Sequence, residues 1–272
     1  MRLRGFGIAA LALVLHGTAA VAADRAEAVD RSSLRVCSDP AALPFSDKAG
    51  GGFENKIAEL FAAKLGVPLK YVWYPNTVGF LRNTLRVRRC DLVMGIVTGA
   101  ELVQTTNPYY RSAYVMVSRK ADHFTAETLE DPQLHRLKLG VTAGSPPADL
   151  IAMNGLAAQV RPYDLFVDSR YDSPGKQMID DLVNKEIDVA ILWGPIAGYF
   201  AAQHGDTLQV TPLTKEAKST RLEFFIAMGI RPDENRWRND INALIRDNKP
   251  AIDAILRDYH VPLIDARGNL LP

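Results

Sequence analysis

The sequence predicts an α/β protein of two lobes, each built on a doubly wound, mostly parallel sheet, joined by a two-crossing hinge over a cleft. Three observations predict it. Short apolar runs of strand length alternate with segments of helical spacing. That alternation passes through a further strand and then repeats. A last apolar run, Phe224 to Ile230, has the length to return the chain to the first set of strands.

Taken in order, Leu34-Arg35-Val36-Cys37 reads as a short buried strand that ends at Ser38-Asp39-Pro40. After Gly50-Gly51-Gly52, the residues Phe53, Ile57, Leu60, Phe61 and Leu65 fall at helical spacing, with Gly66 as the stop. Leu69, Tyr71 and Trp73 alternate with Lys70 and Val72 as a second strand. Val78, Leu81 and Leu85 mark a second helix, and Asp91 to Val97 a third strand. Tyr114 to Ser118 reads as the crossing into the second lobe. There Leu137 to Thr142 is a strand, and Ala143-Gly144-Ser145-Pro146-Pro147 turns into a helix. Met178, Ile179, Leu182 and Val183 share a helix face, and Ile187 to Trp193 is the next strand. Trp237, Ile241, Leu244 and Ile245, then Ile252, Ile255, Leu256 and Tyr259, give two closing helices. The expected division is residues 34–118 plus 222–262 in a discontinuous first lobe and 119–221 in the second. Ligands of open α/β sheets sit at the carboxyl ends of strands, so the loops after Cys37, Val97, Thr142 and Trp193 should surround one cavity.

Residues 1–22 read as a cleaved secretory signal: Arg2 and Arg4, an apolar run from Phe6 to Leu15, then Ala20-Val21-Ala22. The expectation is therefore an exported, periplasmic protein. No later stretch has the length to insert into a membrane. Without Arg2 and Arg4 the chain carries 30 basic and 31 acidic residues, a balance that argues against nucleic acid as the main partner. The two cysteines, Cys37 and Cys90, leave two readings open. An oxidising compartment favours pairing. An offset of four residues between neighbouring parallel strands, about 13 Å, opposes it.

The histidines His123, His135, His204 and His260 show no paired spacing, so no metal is expected, and no cofactor. No nucleophile elbow or acid/base pair is evident, and no catalytic residue is expected.

The run Cys90-Asp91-Leu92-Val93-Met94-Gly95, with Gly52-Phe53-Glu54-Asn55, Gly79-Phe80-Leu81-Arg82-Asn83, Pro108-Tyr109-Tyr110-Arg111-Ser112 and Trp193-Gly194-Pro195-Ile196-Ala197-Gly198-Tyr199-Phe200, resembles the MxaJ/MoxJ/XoxJ proteins of methanol oxidation. The resemblance spans about Leu34 to Pro262. It implies the type-II periplasmic-binding-protein fold of the family 3 solute-binding proteins. It also implies an accessory role toward a PQQ-dependent quinoprotein methanol or alcohol dehydrogenase, of calcium or lanthanide type. The alternative is a receptor that delivers a small, non-amino-acid ligand to an ABC importer.

The residues bear on that choice. Amino-acid binders clamp the ligand carboxylate with an arginine in the loop after the third strand. Here Thr98 to Tyr110 holds no Arg or Lys, and Trp193 stands where an aspartate usually accepts the amine. A buried zwitterion without partners costs several kcal/mol. The candidate cleft residues are Asp39, Phe45, Glu54, Trp73, Thr98, Tyr109, Tyr110, Gly144, Ser145 and Trp193. Glu54 has a second reading, as a first-turn acid that favours the helix dipole. One of Tyr109 and Tyr110 should face the cleft, and Gly144-Ser145 could receive an anion. Arg82, Arg86, Arg88 and Arg89 form a basic cluster, either a solvated face or a docking patch for an acidic partner.

Overall fold

A computed structural model of the protein describes residues 27–216, 221–265 and 267–271; the expected signal, residues 1–22, lies outside the described residues. In chain order the first part holds β1 (Leu34–Ser38), β2 (Ala41–Ala42), β3 (Ser46–Asp47), α1 (Phe53–Leu65), β4 (Leu69–Trp73), α2 (Phe80–Asn83), β5 (Leu92–Val97) and β6 (Gln104–Thr105). Next come β7 (Tyr110–Arg119), β8 (Leu139–Thr142), α3 (Pro146–Met153), β9 (Val160–Tyr163), α4 (Pro174–Val183), β10 (Val189–Trp193), α5 (Gly194–Ala202) and β11 (Leu208–Pro212). The chain closes with β12 (Glu223–Ile230), α6 (Asn235–Asp247) and α7 (Lys249–Asp258).

The main sheet runs β4-β1-β5-β12-β7-β10-β8-β9, with β11 also on β7 and β6 on β12. β4, β1 and β5 are parallel, and β12 lies antiparallel beside them. β9, β8 and β10 are likewise parallel, with β7 antiparallel beside them. The two expected sheets are thus present, but they share β7. Tyr110 to Ala113 pair with β12, and Val115 to Arg119 pair with β11. The strand changes partners at Tyr114.

Period-two alternation places the core. Val189 and Ile191 face one apolar cluster with Met116, Leu139 and Leu150, while Ala190 and Leu192 face another with Val115, Met178 and Ile179. In the first lobe Leu34, Val36 and Leu92 pack under Phe53, Ile57, Trp237, Ile241 and Ile252, which come from α1, α6 and α7. On the other face Cys37, Phe80, Leu85, Cys90 and Val93 form a smaller cluster.

One sequence expectation changes here, and one open choice is decided. The helix expected across Val78 to Leu85 is a single turn, because the Thr84 hydroxyl donates back to the Phe80 carbonyl (2.6 Å) and competes with helix continuation. The chain then runs through turns to Arg89. Cys37 and Cys90 form a disulfide, with Cα atoms 5.6 Å apart. The offset that opposed pairing assumed an extended approach to the third strand. β5 begins at Leu92, and Cys90 belongs to the turns that cover the sheet face, beside Cys37.

Helix α5 was not read from the sequence. Gly194 and Gly198 lower its intrinsic propensity, yet both are required by packing. A Cβ on Gly198 would sit 1.9 Å from the His260 carbonyl oxygen, and one on Gly194 would sit 2.5 Å from that of Ala113. The helix is pressed onto backbone beside the crossing strand, and that contact overrides propensity.

Candidate functional site

The strand β1 ends in Ser38, and Asp39 follows it into the space between the lobes. Asp39 is buried, and its carboxylate accepts from the Ala41 N–H (2.9 Å), the Asn76 N–H (2.6 Å) and the Ser169 hydroxyl. The first two donors belong to the first lobe. Ser169 lies in the loop between β9 and α4 of the second. One carboxylate therefore ties both sides of the cleft with charge-assisted hydrogen bonds.

A strap from Pro44 to Asp47 crosses the start of α1. The N–H groups of Phe53 and Glu54 donate to the carbonyls of Pro44 (2.8 Å) and Phe45 (2.9 Å). Gly52 is needed there, since a Cβ would lie 2.1 Å from the Phe45 carbonyl oxygen. The strap sets Phe45 edge-on to Phe53, with ring centroids 5.4 Å apart. It also orients Glu54 toward β5. Gly95 has φ +72°, and a Cβ on it would meet Glu54 Oε1 at 2.5 Å, so a glycine makes room for the carboxyl. The Tyr109 hydroxyl donates to Glu54 Oε1 (3.4 Å) and accepts from the Gly95 N–H (3.2 Å). Burial pushes the Glu54 carboxyl up to about 8, with the Tyr109 hydrogen bond opposing the shift. With its pKa raised that far, the group is chiefly a neutral acid at neutral pH, which sets aside its reading as a first-turn anion.

These residues wall a cavity of about 400 Å³ whose lining includes Cys37, Asp39, Phe45, Glu54, Gly95 and Arg82. A second cavity of about 220 Å³ adjoins it, with Asp39, Phe45 and Asn76 from the first lobe and Thr142, Ser169 and Trp193 from the second. Trp193, half-buried, stands edge-on to Tyr114 (5.3 Å) and Phe224 (5.9 Å). It gives the cleft an indole wall where an acid would hold an amine.

The remaining candidates sit elsewhere. Thr98 is exposed, and its N–H and hydroxyl both donate to the Phe225 carbonyl (3.0 and 3.1 Å), so the loop turns back on β12 and presents no clamp. Trp73 stacks on Tyr71 (4.5 Å) on the edge strand β4 and lines neither cleft cavity. Tyr109 and Tyr110 are both buried in the first-lobe core, which corrects the expectation that one faces the cleft; their hydroxyls meet its wall from behind, Tyr109 at Glu54 and Tyr110 at Trp193. Gly144 adopts φ +69°, as a tight turn requires, but the Ser145 hydroxyl donates to the Thr142 carbonyl (2.6 Å). With Pro146 and Pro147 following, that corner offers an anion little beyond a turn.

Sequence reasoning missed Asn76 and Ser169. The available signal for Ser169 is the polar, turn-forming stretch Asp168-Ser169-Arg170-Tyr171-Asp172-Ser173. It also missed a buried ion network behind β5. Asp91 accepts from Arg35 (2.6 and 2.8 Å) and Arg231 (2.5 Å), and Arg231 also pairs with Glu234 (2.7 Å). Burial raises the Glu234 carboxyl, with Arg231 acting against that shift.

The bacterial extracellular solute-binding proteins of family 3 match residues 34–261. The periplasmic binding protein XoxJ from Methylobacterium extorquens AM1 is 42% identical, with a TM-score of 0.73 over 85% of this chain and 99% of that one. The chain belongs to family 3, with the MxaJ/MoxJ/XoxJ proteins. Protein MoxJ of Paracoccus denitrificans is 27% identical over 262 residues, 91% of this chain and 95% of the relative. Protein MoxJ of Methylorubrum extorquens is 28% identical over 250 residues, 86% and 83%. The cleft of this chain is lined by the acidic side chains of Asp39 and Glu54 and by Arg82, and the loop from Thr98 to Tyr110 carries no Arg or Lys.

Proposed function

We propose that the protein is a periplasmic accessory factor of methanol, or another alcohol's, oxidation. It is exported on a cleaved signal and binds a PQQ-dependent quinoprotein dehydrogenase to assist its maturation or activation. The observation that carries this reading is the chemistry of the cleft. The loop from Thr98 to Tyr110 has no cation, and Trp193 replaces the amine acceptor. The aromatic wall of Phe45, Trp193 and Tyr114 suits an apolar, peptide-like surface better than a zwitterion. The similarity to XoxJ and MoxJ supports the same assignment. The protein acts by binding, with no catalytic step of its own. Residues 34–118 with 222–262 serve as one gripping body and 119–221 as the other, turning at the crossing strands.

A second reading has a specific observation in its favour. A cavity of about 400 Å³ is large enough for a small molecule. A receptor for a small uncharged ligand, delivering to an importer, would use it. Native mass spectrometry of the protein purified gently from its own periplasm separates the two. The accessory reading expects protein free of small-molecule adduct, with a fraction bound to a dehydrogenase subunit. A tightly held small molecule at near-full occupancy would replace it with the receptor reading.

A further inference from the structure

We infer that the turn-rich segment between α2 and β5 is the docking surface for an acidic face of the partner dehydrogenase. The inference rests on the accessory reading above and adds where, and by what chemistry, the partner is held. From Leu60 through Cys90 the chain holds Lys64, Lys70, Arg82, Arg86, Arg88 and Arg89 and no Asp or Glu, in a protein whose formal net charge is only +1. The four arginines are exposed, and among the described residues none of them forms an ion pair. Elsewhere Arg35, Arg111, Arg119, Arg161, Arg170 and Arg231 each pair with a carboxylate. The positive charge here is left for something outside the chain.

The segment is also rigidly held, which a merely solvated face does not need. Arg231 donates to the carbonyls of Leu85 (3.4 Å) and Cys90, and Arg35 donates to that of Arg88 (3.3 Å). Phe80, Leu85 and Cys90 are buried beneath it, and the disulfide to Cys37 fixes its end. The guanidiniums below are balanced by Asp91 and Glu234, so the surface charge stands uncompensated. A loop already ordered loses little conformational entropy on binding.

Apolar contact area accompanies the charge. Val87, between Arg86 and Arg88, is 59% exposed, and Val78 at the cavity rim is 87% exposed. Arg82 lines the 400 Å³ cavity, so the surface runs into the cleft. Aliphatic contacts ringed by cations fit a protein surface of carboxylates around an apolar centre.

The test is the association of the mature protein with the purified quinoprotein methanol dehydrogenase of the same organism, by biolayer interferometry across a salt series. R86E/R88E/R89E keeps the Arg35, Arg231 and Cys37 anchors and the cavity lining, losing only the Arg89 hydrogen bond to the Asn83 carbonyl (3.5 Å), and R86Q/R88Q/R89Q removes the charge without reversing it. R136E, an exposed arginine of the second lobe, is the control. Melting temperatures verify that each variant folds. We expect wild-type affinity to fall with salt, about tenfold or more loss for the triple reversal, a smaller loss for the neutral set and none for R136E. Wild-type binding that ignores salt and all the arginine variants would overturn the docking surface and leave the accessory reading standing. Equal competition by anionic lipid vesicles or by DNA would overturn it as well, because the surface would then select only for polyanions. No wild-type binding under any salt would bring down the accessory reading, and this surface with it.

Discussion

Set side by side, the two lobes have the same strand order and different interiors. In the first, β4-β1-β5 is followed by antiparallel β12; in the second, β9-β8-β10 is followed by antiparallel β7. The buried charged residues among those described, Asp39, Glu54, Asp91, Arg231 and Glu234, all belong to the first lobe. So does the disulfide. The second lobe is held by two apolar clusters either side of its sheet, with Ser145 as its buried polar residue among those described. One topology tolerates both solutions because it requires only apolar strand faces. The difference lies at the strand ends, where the first lobe supplies the polar chemistry of the cleft and the second supplies a wall that meets it.

The contrast is most easily broken at Asp91. Removing its carboxylate in D91A strands the buried Arg231 and half-buried Arg35, at a cost of about 3–5 kcal/mol in urea denaturation. Opening the disulfide in C37S/C90S frees a loop spanning 53 residues and should lower stability by about 2–4 kcal/mol. An unfolding curve indistinguishable from wild type would show that the first lobe is not braced covalently.

Glu54 sharpens the comparison through pH. Its folded pKa of about 8 lies above the ordinary 4.5, so between those values the folded state keeps a proton that the unfolded chain has released. The stability from this group is fully present below 4.5 and is lost as pH rises through about 8, by at most about 1.4 kcal/mol per pH unit. Melting temperature across that window should decline for wild type and flatten in E54Q. Parallel profiles would refute the assignment. The smallest effect belongs to S169A, which removes the cross-cleft donor to Asp39 and should favour opening by about 1 kcal/mol. Small-angle scattering would register the change as an increased radius of gyration.

Much of the fold was legible because it rests on periodicity. The spacing of Phe53, Ile57, Phe61 and Leu65 marked α1, and the apolar runs marked β1, β5, β10 and β12. What periodicity cannot carry was lost. Helix α5 is set by glycines that admit close backbone approach, a tertiary fact. The disulfide was one of two open readings, because it depended on how the chain enters β5. In the site, Asp39, Phe45 and Trp193 were found because they flank strand ends. Ser169 was missed because it joins the cleft from a loop without regular structure. Glu54 was noticed, but its raised pKa follows from burial in the folded lobe, which spacing along the chain does not report.

The shared strand β7 carries a practical consequence. β10 and β11 both find their antiparallel partner on it, while its first half belongs to β12. Expressing residues 119–221 as a separate fragment would remove all but the last residue of that strand. Both β10 and β11 would be left with unpaired backbone edges, which recruit other chains. Such a fragment should aggregate rather than yield a soluble half, so dissection of this protein must proceed by substitution within the whole chain.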